Sequence, residues 1–285
     1  MKGLSCDSGM LHMFSLEQAI DVLAAQGYQA IDISLEKGRP ILPVPQAHMS
    51  PDADANTRRQ VRKHAEQAGV TILALNATTN LIYNVPETRQ ANLKFVMGAL
   101  ELASDLDARY VVTGGGSKKF YGRESQYWEW LLAALRALLS RANQLGVTLA
   151  FEAAGPYGRF VHNLSRVKHL LSCEGLEALR VVFDPSHYRL RGDSVVKAYE
   201  ALSRHIVHVH TKDAKGDPED FEFPPLGEGE VDFDGLLGAI VADGYDGYIS
   251  VEYEGFAWGY ESDCRKVLAD SKSFINRILA SKQNL

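Results

Sequence analysis

Strand-like and helix-like stretches alternate along this chain from end to end, with no low-complexity linker between them. That alternation constrains the fold more than any other feature. Each strand–helix–strand unit makes two neighbouring parallel strands, and eight such units in a row close into a barrel. Strands are read at residues 3–6, 30–35, 70–75, 109–113, 148–152, 180–184, 206–210 and 248–252. Helices are read at about 15–26, 52–68, 86–106, 124–145, 164–171, 194–202, 233–243 and 261–281. The first helix opens on Ser15 with Gln18 three residues on, a capping box, and stops at Gly27. The third opens on Pro86 and Glu87, the residues favoured at a positive helix end. In the fourth, Tyr127, Leu131, Leu135, Leu138, Ala142 and Leu145 recur at spacings of three and four, a stripe that packs on a sheet. The expected fold class is therefore α/β, a (β/α)8 TIM barrel forming one domain over residues 1–285. A doubly wound open sheet is the alternative, but no GxGxxG follows an early strand, and Gly114-Gly115-Gly116 is too undifferentiated for a phosphate cradle.

The last four strands each end in a residue that binds hard metal ions. They read Thr148-Leu149-Ala150-Phe151-Glu152, Arg180-Val181-Val182-Phe183-Asp184, Ile206-Val207-His208-Val209-His210 and Tyr248-Ile249-Ser250-Val251-Glu252. In a parallel barrel the carboxyl ends of the strands carry the active site, so Glu152, Asp184, His210 and Glu252 are expected on one arc of one mouth. A single strand-end acid is commonly a helix cap or a loop anchor. Four at one rim require four coincidences, and three crowded carboxylates repel one another without a cation. Three carboxylates and an imidazole, with no thiolate, suit Mn²⁺, Mg²⁺ or Co²⁺, with Zn²⁺ also open to such residues.

Substrate contacts are expected from His187, three residues after Asp184, from Lys212, and from His48 and Asn76 after the second and third strands. His208 points to the same face as His210 but deeper, where a supporting core histidine is expected. Asp213 is read either as an orienting partner of His187 or Lys212 or as surface charge, and Glu254 as a supporting or solvated acid. Tyr157, Phe160, Trp258 and Tyr260 either wall the pocket or pack on loops.

Charge and cysteine usage narrow the setting. A formal net charge of −6, with no block of Lys and Arg, argues against a nucleic-acid partner. Cys6, Cys173 and Cys264 are odd in number and far apart, which fits a reducing compartment. No run approaches the ~18 apolar residues of a membrane span, and no apolar leader follows Met1. The expectation is a cytoplasmic enzyme whose partner is a small-molecule sugar or polyol, with no membrane contact. Self-association into a homo-oligomer is left open.

Phe151-Glu152, Asp184-Pro185-Ser186-His187, His208-Val209-His210-Thr211-Lys212-Asp213, Leu226-Gly227-Glu228-Gly229-Glu230-Val231-Asp232-Phe233 and Ile249-Ser250-Val251-Glu252-Tyr253-Glu254 carry a wider likeness. On these residues the chain resembles the xylose isomerase-like barrels, in particular the sugar phosphate isomerase/epimerase group with the ketose 3-epimerases. The resemblance covers nearly the full length. It implies that Glu152, Asp184, His210 and Glu252 ligate one divalent cation, commonly Mn²⁺. It also implies that Glu152 and Glu252 double as catalytic acid and base, and that His187 contacts a substrate oxygen. The expected reaction is epimerisation or isomerisation of a sugar by proton transfer α to a carbonyl, through a metal-bound enediolate.

Two departures lie on the substrate side. Ketose 3-epimerases usually carry a second glutamate six residues after the first ligand, where this chain has Gly158. They also carry an arginine six residues after the metal-binding histidine, where it has Gly216 beside Lys215. Dehydration or keto-sugar (C-glycoside) cleavage by the same enolising chemistry is the alternative. Endonuclease IV-like DNA repair needs more histidines than the acidic stretch Lys215-Gly216-Asp217-Pro218-Glu219-Asp220 supplies. A non-catalytic subunit has no physical need for the intact ligand quartet.

Overall fold

Eight parallel strands close on themselves in a computed structural model that describes residues 1–35, 47–118, 122–156 and 158–282. The barrel strands are β1 (Gly3–Asp7), β2 (Ala30–Ser34), β3 (Thr71–Asn76), β4 (Tyr110–Thr113), β5 (Thr148–Glu152), β6 (Arg180–Phe183), β7 (Ile206–Thr211) and β10 (Tyr248–Val251). Between β7 and β10 a two-stranded antiparallel hairpin intervenes, β8 (Lys215–Gly216) with β9 (Phe221–Glu222). β1 pairs with both β2 and β10, which shuts the sheet.

Around the barrel run α1 (Leu16–Ala25), α2 (Ala55–Ala68), α3 (Pro86–Leu106), α4 (Glu124–Leu145), α5 (Leu164–Leu171), α6 (Pro185–Leu190), α7 (Val195–Leu202), α8 (Phe233–Ala242) and α9 (Cys264–Lys282). The capping box is formed: Ser15 accepts from the Gln18 amide, and the Gln18 side chain accepts from the Ser15 amide. The α4 stripe is buried at Tyr127, Leu131, Leu135, Leu138 and Ala142. Two elements go beyond the sequence reading. Asp184 caps α6 where only a turn is expected, and the acidic stretch after β7 forms the β8–β9 hairpin. The Pro-rich loop read at residues 39–51 lies mostly outside the described residues, as does Tyr157. None of the described helices is long and apolar enough to cross a membrane.

The main core lies between the strands and the surrounding helices. Inside the barrel, alternate strand residues point to the axis. On β3 to β6 that interior is apolar: Ala74, Val112, Ala150 and Val182 form a separate cluster. On β1, β2, β7 and β10 it is polar and buried: Ser5, Asp32, His208 and Ser250. One inward position nearer the mouth come Asp7, Asn76, Glu152, Asp184, His210 and Glu252. The barrel therefore stands on an apolar half and a polar half, with the carboxylates above.

Candidate active site

The end of β7 organises the site. His210 turns Nδ1 toward two carboxylates, with Glu152 Oε1 at 2.7 Å and Glu252 Oε2 at 3.0 Å. Ligand atoms of these three residues all lie within 4.8 Å of one another. Lys212, two residues on and only 3% exposed, ties in the fourth expected ligand. Its ammonium is 2.6 Å from Glu252 Oε1, 3.0 Å from Asp184 Oδ2 and 3.8 Å from Glu254 Oε2. Above it the Phe223 ring centroid is 4.9 Å away. The β5, β6, β7 and β10 ends thus converge as the strand-end pattern predicts, with Asp184 joined to the others across Lys212.

Two buried cations face the carboxylates, and the protonation pattern follows. Burial pushes the His210 imidazole down, but Glu152 and the hydrogen-bonding carboxylates around it hold its pKa well above the ordinary histidine value. Burial also opposes the Lys212 charge, yet Asp184, Glu252 and Glu254 raise its pKa well above the usual lysine range. Glu252 responds in the opposite sense: burial raises it, but Lys212 and His210 bring it well below the usual carboxylate range. Asp184 is raised, because burial outweighs the nearby ammonium. His187 is pushed down to about 3, first by burial and then by Lys212. Its Nε2 lies 3.3 Å from Asp184 Oδ2, a contact made by a neutral ring rather than an ion pair.

The donor set fits a divalent cation. Asp184 Oδ2 and Glu252 Oε2 are buried without a well-aligned hydrogen bond, although each has a cationic nitrogen at 3.0 Å. Carboxylate lone pairs facing one another, with an imidazole Nδ1 between them, are the ligands a hard or borderline metal takes. Asp184 Oδ1 is engaged by the Ser186 amide and hydroxyl at 2.9 and 2.7 Å, which leaves Oδ2 facing Lys212 and His187.

The remaining expected residues divide. Asn76 ends β3, buried; its Nδ2 donates to Asp7 Oδ2 and its Oδ1 has no hydrogen-bond partner. His48 is half-buried, and burial lowers its pKa. Asp213 orients neither His187 nor Lys212. Its carboxylate accepts from the amides of Ala214, Gly227, Gly229 and Val231 at 2.8–3.1 Å. It pins the glycine-rich turn after the hairpin, and a Cβ on Gly229 would fall 2.3 Å from its Oδ1. Phe160 packs on Tyr127 and Trp128 of α4, so it serves the loop. Trp258 packs tilted against Phe221 and edge-on against Phe223, which in turn meets the His187 ring edge-on, and Tyr260 Oη donates to Glu222 at 2.6 Å. Gly216 has φ +92° and a Cβ there would fall 2.2 Å from Asp220 O, so the hairpin has no room for a side chain where ketose 3-epimerases carry arginine.

Two buried acids escape the sequence reading. Asp7 ends β1 and faces the cluster; burial and then Glu252 raise its pKa well above the carboxylate range. Asp32 sits within β2, bonded to His208 Nε2 at 2.8 Å. The signal was present in both cases: Asp7 ends a strand as the four ligands do, and Asp32 interrupts an apolar run.

Comparison with known proteins agrees with this geometry. The chain is 25% identical over 243 residues to the fructoselysine 3-epimerase of Escherichia coli O157:H7, covering 83% of this chain and 85% of that one. It is 27% identical over 142 residues to the inosose dehydratase of Lacticaseibacillus casei, covering 45% and 47%. The solved structure of a D-tagatose 3-epimerase-like protein superposes with a TM-score of 0.80 at 19% identity, covering 99% and 98%, a likeness of fold. A family model for the xylose isomerase-like TIM barrel matches residues 20–275. With the match spanning most of its length and the barrel closed, this chain belongs to the xylose isomerase-like TIM barrel family.

Proposed function

We propose that this protein epimerises or isomerises a keto-sugar or related polyol by moving a proton α to a carbonyl. One observation carries the reading: Glu152 at the end of β5 and Glu252 just past β10 both reach the same imidazole nitrogen, at 2.7 and 3.0 Å. A planar enediolate seated there has one carboxylate available to each face. One glutamate removes the proton and the other returns it from the opposite side, which inverts the carbon. Return to the neighbouring carbon isomerises instead. Glu152, Asp184, His210 and Glu252 would hold a divalent cation, Mn²⁺ first, which would supply charge to stabilise the developing oxyanion. His187, a neutral ring, donates to or accepts from a substrate oxygen without adding charge. Lys212 balances the glutamates' charge, and Asn76 Oδ1 is an acceptor for a hydroxyl.

A second reading has its own support in the likeness to inosose dehydratase and in the crowded backbone at Gly216. Elimination begins with the same α-proton removal and ends with loss of a β-hydroxyl. A panel of ketoses, keto-sugars, inososes and hydroxypyruvate, run with Mn²⁺ in D₂O, separates the two. Epimerisation gives deuterium at one carbon of an intact sugar, and elimination gives a dehydrated product. In either case Glu252→Gln should lower turnover by ~10²–10⁴ at equal metal occupancy. Turnover with no solvent deuterium at all would remove the glutamate pair from the mechanism.

A further inference from the structure

Below the carboxylates lies a polar cluster that the proposed chemistry does not use. Asp32, Ser5, Ser250 and His208 are each fully shielded from solvent, although they come from four different strands. Asp32 Oδ2 accepts from Ser250 Oγ at 2.5 Å and from His208 Nε2 at 2.8 Å. Ser5 Oγ sits 3.2–3.3 Å from both carboxylate oxygens. A lone carboxylate is costly to bury, and these donors keep it charged. Burial pushes the Asp32 pKa up, and His208 more than reverses it, leaving the group below the usual carboxylate range.

Asp32, His208 and His210 also bring ligand atoms within 4.8 Å of one another. Ser5, Ser250 and His208 already donate to Asp32, so its charge is met by protein protons rather than by a second cation. Two imidazole nitrogens here lack a hydrogen-bond partner, His208 Nδ1 and His210 Nε2, and the second faces the carboxylate. The His208 and His210 rings stand edge to face, 5.0 Å between centroids and 87° apart, and both turn Nε2 toward Asp32 Oδ2, His208 at 2.8 Å and His210 at 3.7 Å. On its other side His210 offers Nδ1 to Glu152 and Glu252.

We infer that Asp32 is a positioning residue: it holds a proton on His210 Nε2, fixes the ring's rotation, and so leaves Nδ1 to serve as the ligand. The two ring nitrogens of histidine are distinct, and the partner of one decides the role of the other. The ligation half of this inference rests on the proposed metal chemistry, whereas the proton half stands without it.

The experiment uses full-length protein with ¹⁵N-labelled histidine, together with Asp32→Asn and Ser5→Ala. Metal-free wild type should show a slowly exchanging, downfield Nε2–H resonance for His210. Zn²⁺-loaded wild type should show Nδ1 as the metal-bound nitrogen. Calorimetric titration with Mn²⁺ should give a Kd ~10–100-fold weaker in Asp32→Asn, with Ser5→Ala close to wild type. A purely structural role for Asp32 would lower the melting temperature while leaving both the resonance and the Kd of the folded fraction unchanged, and that result overturns the inference. So does Zn²⁺ bound through Nε2 in the wild type, a readout that needs no variant to fold. If the wild type binds neither Mn²⁺ nor Zn²⁺, the catalytic reading falls, and the metal-free resonance alone then decides the role of Asp32: its presence upholds the proton half and its absence overturns it.

Discussion

At the scale of single residues, His210 is where a proton and the proposed metal would compete. Its pairing with Glu152 and the neighbouring carboxylates raises its pKa well above the value of an unfolded chain. That pairing therefore stabilises the metal-free fold fully below an unfolded pKa of about 6.5 and fades as pH rises through the higher folded value. A metal taking Nδ1 must displace the proton held there. Mn²⁺ uptake at neutral pH should release about one proton per site, and its affinity should weaken as pH falls. Calorimetry in two buffers of different ionisation enthalpy measures the release directly, and an identical apparent enthalpy in both would contradict it. That Glu152, Asp184, His210 and Glu252 would lie close together was legible because strand ends in a barrel share a mouth. Asp32 was not, since a single acid in Ala30-Ile31-Asp32-Ile33 reads as an interrupted strand until its partners on β1, β7 and β10 are known. Asp213 was misread for a related reason: three of its four amide partners lie 14 to 18 residues downstream.

At the scale of elements, the segment following β7 is built around that carboxylate. His210 and Lys212 face the site, while Asp213, the next residue, gathers the turn that leads to α8. The hairpin between them is fastened by Lys215 to Glu222 at 2.8 Å and by Tyr260 to Glu222 at 2.6 Å. Replacing Asp213 with Ala leaves four backbone donors without their acceptor. A buried unsatisfied donor costs about 1–3 kcal/mol, so the variant should unfold at lower urea and its Gly227, Gly229 and Val231 amides should exchange faster. Unchanged exchange at those three amides would mean that the turn holds itself. The helices were legible from their caps and stripes, as Ser15 with Gln18 illustrates. The hairpin was not, because its two-residue strands offer no periodicity to read.

At the scale of the whole molecule, the alternation of strands and helices dictated a closed barrel, but not the division of its interior. Ala74, Val112, Ala150 and Val182 fill one side, and the Asp32 cluster fills the other. Residue types alone do not reveal which inward positions meet across a barrel axis. Lys212 gives the molecule a further property. Its ammonium contacts Asp184 and Glu252 directly, so part of the carboxylate charge is balanced from within the chain. Chelator-treated protein should therefore stay folded while losing activity, as circular dichroism and a turnover assay would show together. In Lys212→Met the chelated form should melt earlier, and Mn²⁺ at a hundredfold excess over Kd should restore about 2.7 kcal/mol. Unfolding of the wild type on chelation would assign the structural burden to the ion instead. A polypeptide carrying its own counter-ion can be synthesised, folded and held in reserve before any metal reaches it; under the proposed chemistry the supply of the ion would then govern when the protein works and not whether it survives.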